Sequence, residues 1–309
     1  MTRIGIAVAA GVLAVVYGAV ARAADEPKQP TVGEAYIGLA SDGLTYAKLS
    51  DLPKGVLLRS GELTVTEKEV MGEIAKAPGN VQEELKKQAF FVLERIAVRS
   101  LLLTEAKAEA AKSGKDAAKM YEREIMEGYF AAVTDKVKVT DDEVTDFYNR
   151  NKELVGESRL DQVKDDLARY LLQQKQQQAV DKYIETLGQR MAIEVSASWA
   201  KERAVLDRDN VVGKARSSGK PSVVDFGSKG CVPCDMMAPI LVTLAKKYEG
   251  KANVLFIPVR DEEILAARYG IQSIPVQVFF DKDGREVFRH VGFFPREEIE
   301  KKLAEMGVK

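Results

Sequence analysis

The chain has 309 residues, with 46 basic against 47 acidic side chains, a formal net charge of -1, 46% hydrophobic and 30% charged residues. That length suits two domains with separate cores, and the composition is that of a folded, solvated protein with no basic surplus for a nucleic-acid backbone. Two cysteines and one histidine cannot supply a four-ligand Cys/His site within one chain, so a structural zinc finger is excluded.

Arg3 precedes an uncharged run from Ile4 to Ala21 that closes on Ala21-Arg22-Ala23. A basic start, an apolar middle and a small-residue end predict a secretory signal peptide cleaved after Ala23, residues 1–23. An uncleaved membrane anchor is the alternative, because the run is close to the length that spans a bilayer. Either way the remaining chain is expected outside the cytoplasm, in the periplasm or an equivalent compartment, where disulfides form and persist.

Residues 24–54 carry Pro27, Pro30 and Pro53 with scattered glycines and no sustained period, which predicts a low-order leader. Val56–Arg59 and Leu63–Thr66 flank Ser60-Gly61-Glu62 and predict a short strand pair. Thr66 and Glu69 form a capping box for a helix. From Val81 to Lys112 neither proline nor glycine occurs, and Leu85, Ala89, Val92, Ile96 and Leu103 recur at helical spacing, so one long amphipathic helix is predicted. A helix over about 116–133 follows. Thr140 and Glu143 cap another, which carries Val144, Phe147 and Tyr148. Arg159 to Arg190 reads as a further long helix with a buried stripe, in which Gln173–Gln178 is a solvated face. Residues 55–200 thus form a mostly α-helical module, with Trp199 as a core anchor.

After Trp199 the chain is charged, and Arg216 to Pro221 is a turn signal that opens a second module over 201–309. There the pattern alternates: strand 222–227, helix 232–249, strand 253–259, helix 262–269, strands 276–280 and 286–290, helix 296–306. Asp281 to Gly284 joins the last two strands as a hairpin. This alternation predicts an α/β sheet.

The chemistry lies in Cys231-Val232-Pro233-Cys234, directly after the strand Val223-Val224-Asp225-Phe226 and at the start of a helix. Free amide N–H groups and the positive end of the helix dipole favour a thiolate at Cys231, the nucleophile. Cys234, one turn further in, is placed to resolve a mixed disulfide on Cys231. A structural disulfide or half of a metal site are the bland alternatives for such a pair. No Ser/His/Asp arrangement, phosphate loop or paired carboxylate stands out, and no cofactor or metal is expected. His290 reads as packing or surface.

The segment from about Asp207 to the C-terminus resembles the thioredoxin fold. The strand, the redox motif, Ala238-Pro239, Tyr269-Gly270-Ile271, Ile274-Pro275 and Val291-Gly292 fall in that family's order. The resemblance implies a redox disulfide between Cys231 and Cys234, a cis Pro275 facing it, and substrate contacts from Val232, Pro233 and the Ile274 backbone, which pairs with an extended peptide. It also implies that Asp225 is a buried acid handling the proton of Cys234, with a purely structural hydrogen-bonding role as the alternative. Two departures matter. Gly227 and Gly230 replace an aromatic-rich approach, and Phe256 stands where many thioredoxins place a lysine, so the pKa of Asp225 should be higher.

The strand pair, the long helix, Val139 to Val144, then Phe147-Tyr148-x-x-Asn151-Lys152 and Ile193-Glu194-Val195 resemble the chaperone portion of SurA-like periplasmic foldases. That family usually carries a prolyl isomerase domain after this point. Here only Glu153 to Ser158 intervene, so isomerase activity is not expected. The implied role is to bind unfolded polypeptide in an apolar groove; a scaffold or dimerisation bundle is the alternative. Together these readings predict an extracytoplasmic thiol:disulfide oxidoreductase, leaning to reductase or isomerase, acting on unfolded or disulfide-bonded exported proteins with a further redox partner. The rivals are a chaperone or assembly factor that uses the thioredoxin fold as a binding platform, and a dedicated reductase for cytochrome c maturation.

Overall fold

The computed structural model describes residues 29–41 and 43–309. The predicted signal segment and its cleavage site lie outside them. Among the described residues no helix is long and apolar enough to cross a membrane.

The N-terminal unit begins with α1 (Val32–Ala35) and β1 (Lys48–Ser50), then the strand pair β2 (Val56–Ser60) and β3 (Leu63–Thr66). The predicted low-order leader is therefore corrected from Gln29 onward. Val32, Leu39, Leu44 and Ala47 are buried in the core, and β1 pairs in parallel with β4 (Glu194–Ser196) in a sheet of order β1-β4-β2-β3. Burial of these apolar side chains outweighs the weak local propensity of a proline-bearing segment.

The capping box of Thr66 and Glu69 opens α2 (Glu67–Ala75). The single helix expected over 81–112 is two, α3 (Gly79–Lys87) and α4 (Ala89–Lys112). The chain turns at Gln88 (φ -97°, ψ 33°), whose side chain is buried and donates to Glu84 at 2.7 Å. The turn lets the continuous apolar run Ala89–Leu93 bury on every side while Leu85 still faces the same core. The helix expected over 116–133 is a 3₁₀ turn at Ala117–Lys119 followed by α5 (Glu122–Thr134). Next come α6 (Asp141–Arg150), with the Thr140–Glu143 capping box, short α7 (Lys152–Val155) and α8 (Leu160–Arg190). Leu167 and Leu187 of α8 are buried, whereas Leu160, Val163, Leu171, Val180 and Ile184 are only half-buried.

The charged stretch after Trp199 is helical almost up to the turn signal: α9 (Ala197–Asp207) and α10 (Val211–Arg216). Trp199, Ala200 and Ala204 belong to the N-terminal core, where Trp199 stacks on Phe90 at 5.9 Å. Val212 belongs to the C-terminal core. The C-terminal unit continues with β5 (Ser222–Gly227), α11 (Val232–Lys247), β6 (Asn253–Pro258), α12 (Glu263–Arg268), β7 (Val276–Phe280), β8 (Glu286–Val291) and α13 (Arg296–Glu305). Its sheet has the order β6-β5-β7-β8, with β5 parallel to β6 and antiparallel to β7. Strand alternation sends Val223 and Phe279 to the α11–α13 face, and Val224, Phe226, Val278 and Phe280 to the α10–α12 face.

A buried polar weld joins the two units. Arg268 at the end of α12 pairs with Asp207 at the end of α9, through Nη2 to Oδ2 at 2.6 Å, and also donates to the Gly38 carbonyl. Ser41 donates to the Arg268 carbonyl at 3.1 Å. Glu94 of α4 accepts from the backbone N–H of Ser41 at 2.9 Å and of Leu44 at 3.0 Å. Burial raises the pKa of Glu94, partly offset by these hydrogen bonds and by Arg268.

Candidate active site

Cys231 is the N-cap of α11 (φ -100°, ψ 113°), and Pro233 occupies the first turn, where its missing N–H costs nothing. Cys231 and Cys234 are joined in a disulfide, with their Cα atoms 5.2 Å apart. Cys231 is half-buried at the surface, Cys234 is 3% exposed, and Val232 between them is 68% exposed. An outer sulfur open to a partner and an inner one shielded by the helix is the asymmetry that two-step exchange requires.

The loop from α12 to β7 brings Ile274 and Pro275 opposite this pair. The Ile274–Pro275 peptide bond is cis, and the Ile274 carbonyl oxygen lies 3.9 Å from Cys231 Sγ. The Ile274 N–H makes no hydrogen bond among the described residues. One backbone donor and one acceptor thus stand beside the reactive sulfur, the pairing face that an extended chain uses. The Pro275 carbonyl is held from the other side by the Gly292 N–H at 2.8 Å.

Beneath Cys234 lies Asp225, fully buried on β5. Its Oδ1 accepts from Gln277 Nε2 at 2.6 Å, and its Oδ2 has no partner among the described residues. Desolvation lifts its pKa from 3.8 to about 6, against the lowering effect of Gln277. Phe256 stands opposite Asp225 in register on β6, so no cation from that position compensates the carboxylate. Gly227 keeps the space open: a Cβ there would lie 2.9 Å from Phe256 Cε2, 3.4 Å from Cys234 Cβ and 3.5 Å from Asp225 Oδ2. The carboxylate and the inner cysteine therefore approach each other across a gap that only glycine leaves. Gln277 belongs to no motif that sequence reasoning picks out, although it is the one polar residue in the run Val276–Phe280 and sits directly opposite Asp225 in the ladder.

His290 stacks on Phe294 at 4.2 Å with Nε2 3.0 Å from the Phe293 carbonyl, and burial lowers its pKa. Nε2 then carries the proton, and the neutral ring packs on Phe294. No group of three or more His, Cys, Asp or Glu among the described residues could hold a metal ion.

A cleft of about 1710 Å³ runs between the two units. Phe91, Ile96, Phe130, Phe147 and Tyr170 line it from the helical side, and Gln272, Ser273 and His290 from the C-terminal side. Gln173, Gln174, Gln177 and Gln178 of α8 also line this cleft, with Gln173 and Gln178 exposed, so the solvated face expected there opens onto the cleft. Ser273 and Val276, which flank Ile274 and Pro275 in the chain, both line the cleft, so it reaches the residues on either side of the cis-proline pair.

Residues 209–307 match the family model described as thioredoxin-like domain. Thioredoxins of Staphylococcus aureus strains Mu50 and MW2 are 46% identical over 77 residues, which is 25% of this chain and 73% of theirs. Among solved structures, thioredoxin NaTrxh from Nicotiana alata is 30% identical, covering 31% of this chain and 80% of its own, with a TM-score of 0.28. A mutant thioredoxin from Halobacterium salinarum NRC-1 is 27% identical, covering 31% and 81%, with a TM-score of 0.28. A disulfide at a helix start, faced by a cis-proline loop and carried on sequence this close to the bacterial thioredoxins, places the chain through its C-terminal domain in the thioredoxin family, a family of thiol-disulfide oxidoreductases.

Proposed function

We propose that the protein is an extracytoplasmic thiol:disulfide oxidoreductase whose helical unit, SurA-like in its sequence pattern, holds unfolded or wrongly disulfide-bonded exported polypeptides for the Cys231–Cys234 pair. The observation that supports this reading is the cleft between the units, lined by Ser273 and Val276 on either side of the Ile274–Pro275 pair, whose Ile274 carbonyl oxygen lies 3.9 Å from Cys231 Sγ. In the reductive direction the Cys231 thiolate attacks one sulfur of a client disulfide, forming a mixed disulfide and releasing one client thiolate. The Cys234 thiolate then attacks Cys231 Sγ, closing the Cys231–Cys234 disulfide and releasing the second client thiolate. An external dithiol partner restores the reduced pair. Asp225, its pKa lifted by burial to about 6, takes the Cys234 proton before the second attack.

The basic start, the Ile4–Ala21 run and the Ala21-Arg22-Ala23 end support export, and N-terminal sequencing of the mature protein tests it. Val232-Pro233 and the absence of histidine before Cys234 support a reductase or isomerase direction. The deciding experiment is insulin reduction by the wild type and by Cys231→Ser. Turnover lost in the variant sustains the enzyme. If the wild type shows no turnover while both proteins suppress aggregation of an unfolded client, the domain is a binding platform and the reading fails.

A further inference from the structure

Tyr170 of α8 reaches the C-terminal unit at Gly292, the residue whose N–H holds the Pro275 carbonyl. Gly292, with φ +99°, follows β8 and donates its N–H to the Pro275 carbonyl. An ideal Cβ on Gly292 would lie 3.2 Å from Tyr170 Oη, so the phenol reaches the backbone that holds the cis-proline. The ring is fixed from behind by Phe147 of α6, with centroids 5.6 Å apart. The hydroxyl makes no hydrogen bond among the described residues, and burial raises its pKa, which keeps it a neutral donor. Tyr170 lines the cleft together with Gln272 and Ser273, which immediately precede Ile274.

A fixed aromatic ring with an unpaired hydroxyl, lining the cleft and reaching the glycine that holds the cis-proline, matches the chemistry of an extended polypeptide. The ring covers apolar side chains, the hydroxyl binds a main-chain carbonyl, and Ile274 supplies the pairing edge. A small disulfide reaching only Cys231 needs none of these. We infer that Tyr170 is a specificity-determining residue, the contact by which the helical unit selects extended polypeptide over small disulfides at Cys231. The inference rests on the proposed oxidoreductase reading and deepens it.

The test compares the full-length wild type with Tyr170→Phe and Tyr170→Ala on two substrates. One is a 15-residue peptide with an internal disulfide; the other is the small aryl disulfide 5,5′-dithiobis(2-nitrobenzoate). Affinity for a cysteine-free version of the peptide is read by fluorescence anisotropy. Loss of one hydroxyl hydrogen bond in Tyr170→Phe is expected to raise the peptide KM and the anisotropy Kd about three- to tenfold, with rates on the aryl disulfide unchanged. Tyr170→Ala is expected to do more. Tyr170→Phe keeps the ring packed on Phe147, so it decides the matter if the alanine variant is poorly folded. Equal effects on both substrates, no effect on either, or a lowered KM for the peptide would each overturn the assignment. If the wild type is inactive on both disulfides, the oxidoreductase reading has failed, and the anisotropy still judges Tyr170: an unchanged Kd in Tyr170→Phe overturns the contact.

Discussion

Replacing Asp225 by asparagine isolates the electrostatic cost of burying a carboxylate under the disulfide. Asp225 is 0% exposed, receives one hydrogen bond from Gln277, and leaves Oδ2 without a partner among the described residues. Its folded pKa of about 6 stands above the ordinary 3.8, so between those values the folded state binds more protons than the unfolded one. Stability from this group is then lost as pH rises from about 4 through 6, the reverse of a salt-bridged aspartate. The shift of roughly 2 pKa units corresponds to ~3 kcal/mol, fully expressed above neutrality. An asparagine side chain carries no charge at any pH, and its own packing or hydrogen-bonding cost is constant with pH. The stability of Asp225→Asn relative to the wild type should therefore rise by ~3 kcal/mol between pH 3.5 and pH 8. Guanidinium denaturation of the oxidised proteins measures it. Far-UV circular dichroism and exchange of the β5 amides are the suitable probes, because Trp199 is packed in the other core. A relative stability that does not change with pH, or one that falls as pH rises, would refute the argument.

Three further outcomes are expected. After reduction, Cys231 should alkylate at least about tenfold faster than Cys234 near neutral pH, since only the outer thiol is open at the helix start; equal rates by mass spectrometry contradict that asymmetry. Cys234→Ala should accumulate mixed disulfides on Cys231, visible on non-reducing gels, because nothing inside the protein can then release the partner. Arg268→Ala should cost roughly 3–5 kcal/mol by leaving Asp207 buried and unpaired, and should split the thermal unfolding of the two units into separate transitions; one unchanged transition would deny the weld.

The redox loop was legible in the sequence because its chemistry is local. Cys231 and Cys234 are one helical turn apart, the preceding strand is four residues away, and each α/β element of the C-terminal unit has a period that announces it. Of sheet β1-β4-β2-β3 only the β2–β3 pair was legible. The three-residue strands Lys48–Ser50 and Glu194–Ser196 come from opposite ends of the unit, and each is too short to show alternation. The break at Gln88 hides for a different reason: Ala89–Leu93 is apolar throughout, so the helical period runs across the turn without interruption. The glutamines of α8 look the same whether they face bulk water or a cleft. Gln277 illustrates a pattern that sequence alone can register without interpreting: a polar residue in an apolar strand marks a partner, and only the β5–β7 register identifies that partner as Asp225.

The weld also changes what coupling between the units means. A flexible tether would raise the concentration of any bound client near Cys231 and would tolerate many spacings between the bound segment and its cysteine. Here α9 and α10 fill the connection, and Arg268 locks α12 to Asp207, Gly38 and Ser41, so the distance between cleft and sulfur is set by the fold. Ser273 lines the cleft and Ile274 lies 3.9 Å from Cys231 Sγ, while each extended residue spans about 3.5 Å. A client lying in the cleft as proposed would present a disulfide sulfur to Cys231 only if its cysteine follows the bound segment within a few residues. Peptides with the cysteine moved stepwise away from an apolar anchor should show an optimum at short spacing, followed by a fall in kcat/KM of about tenfold or more, since a misplaced sulfur loses the orientation that the rigid site provides. A flat dependence on spacing would mean that the client engages the dithiol without occupying the cleft.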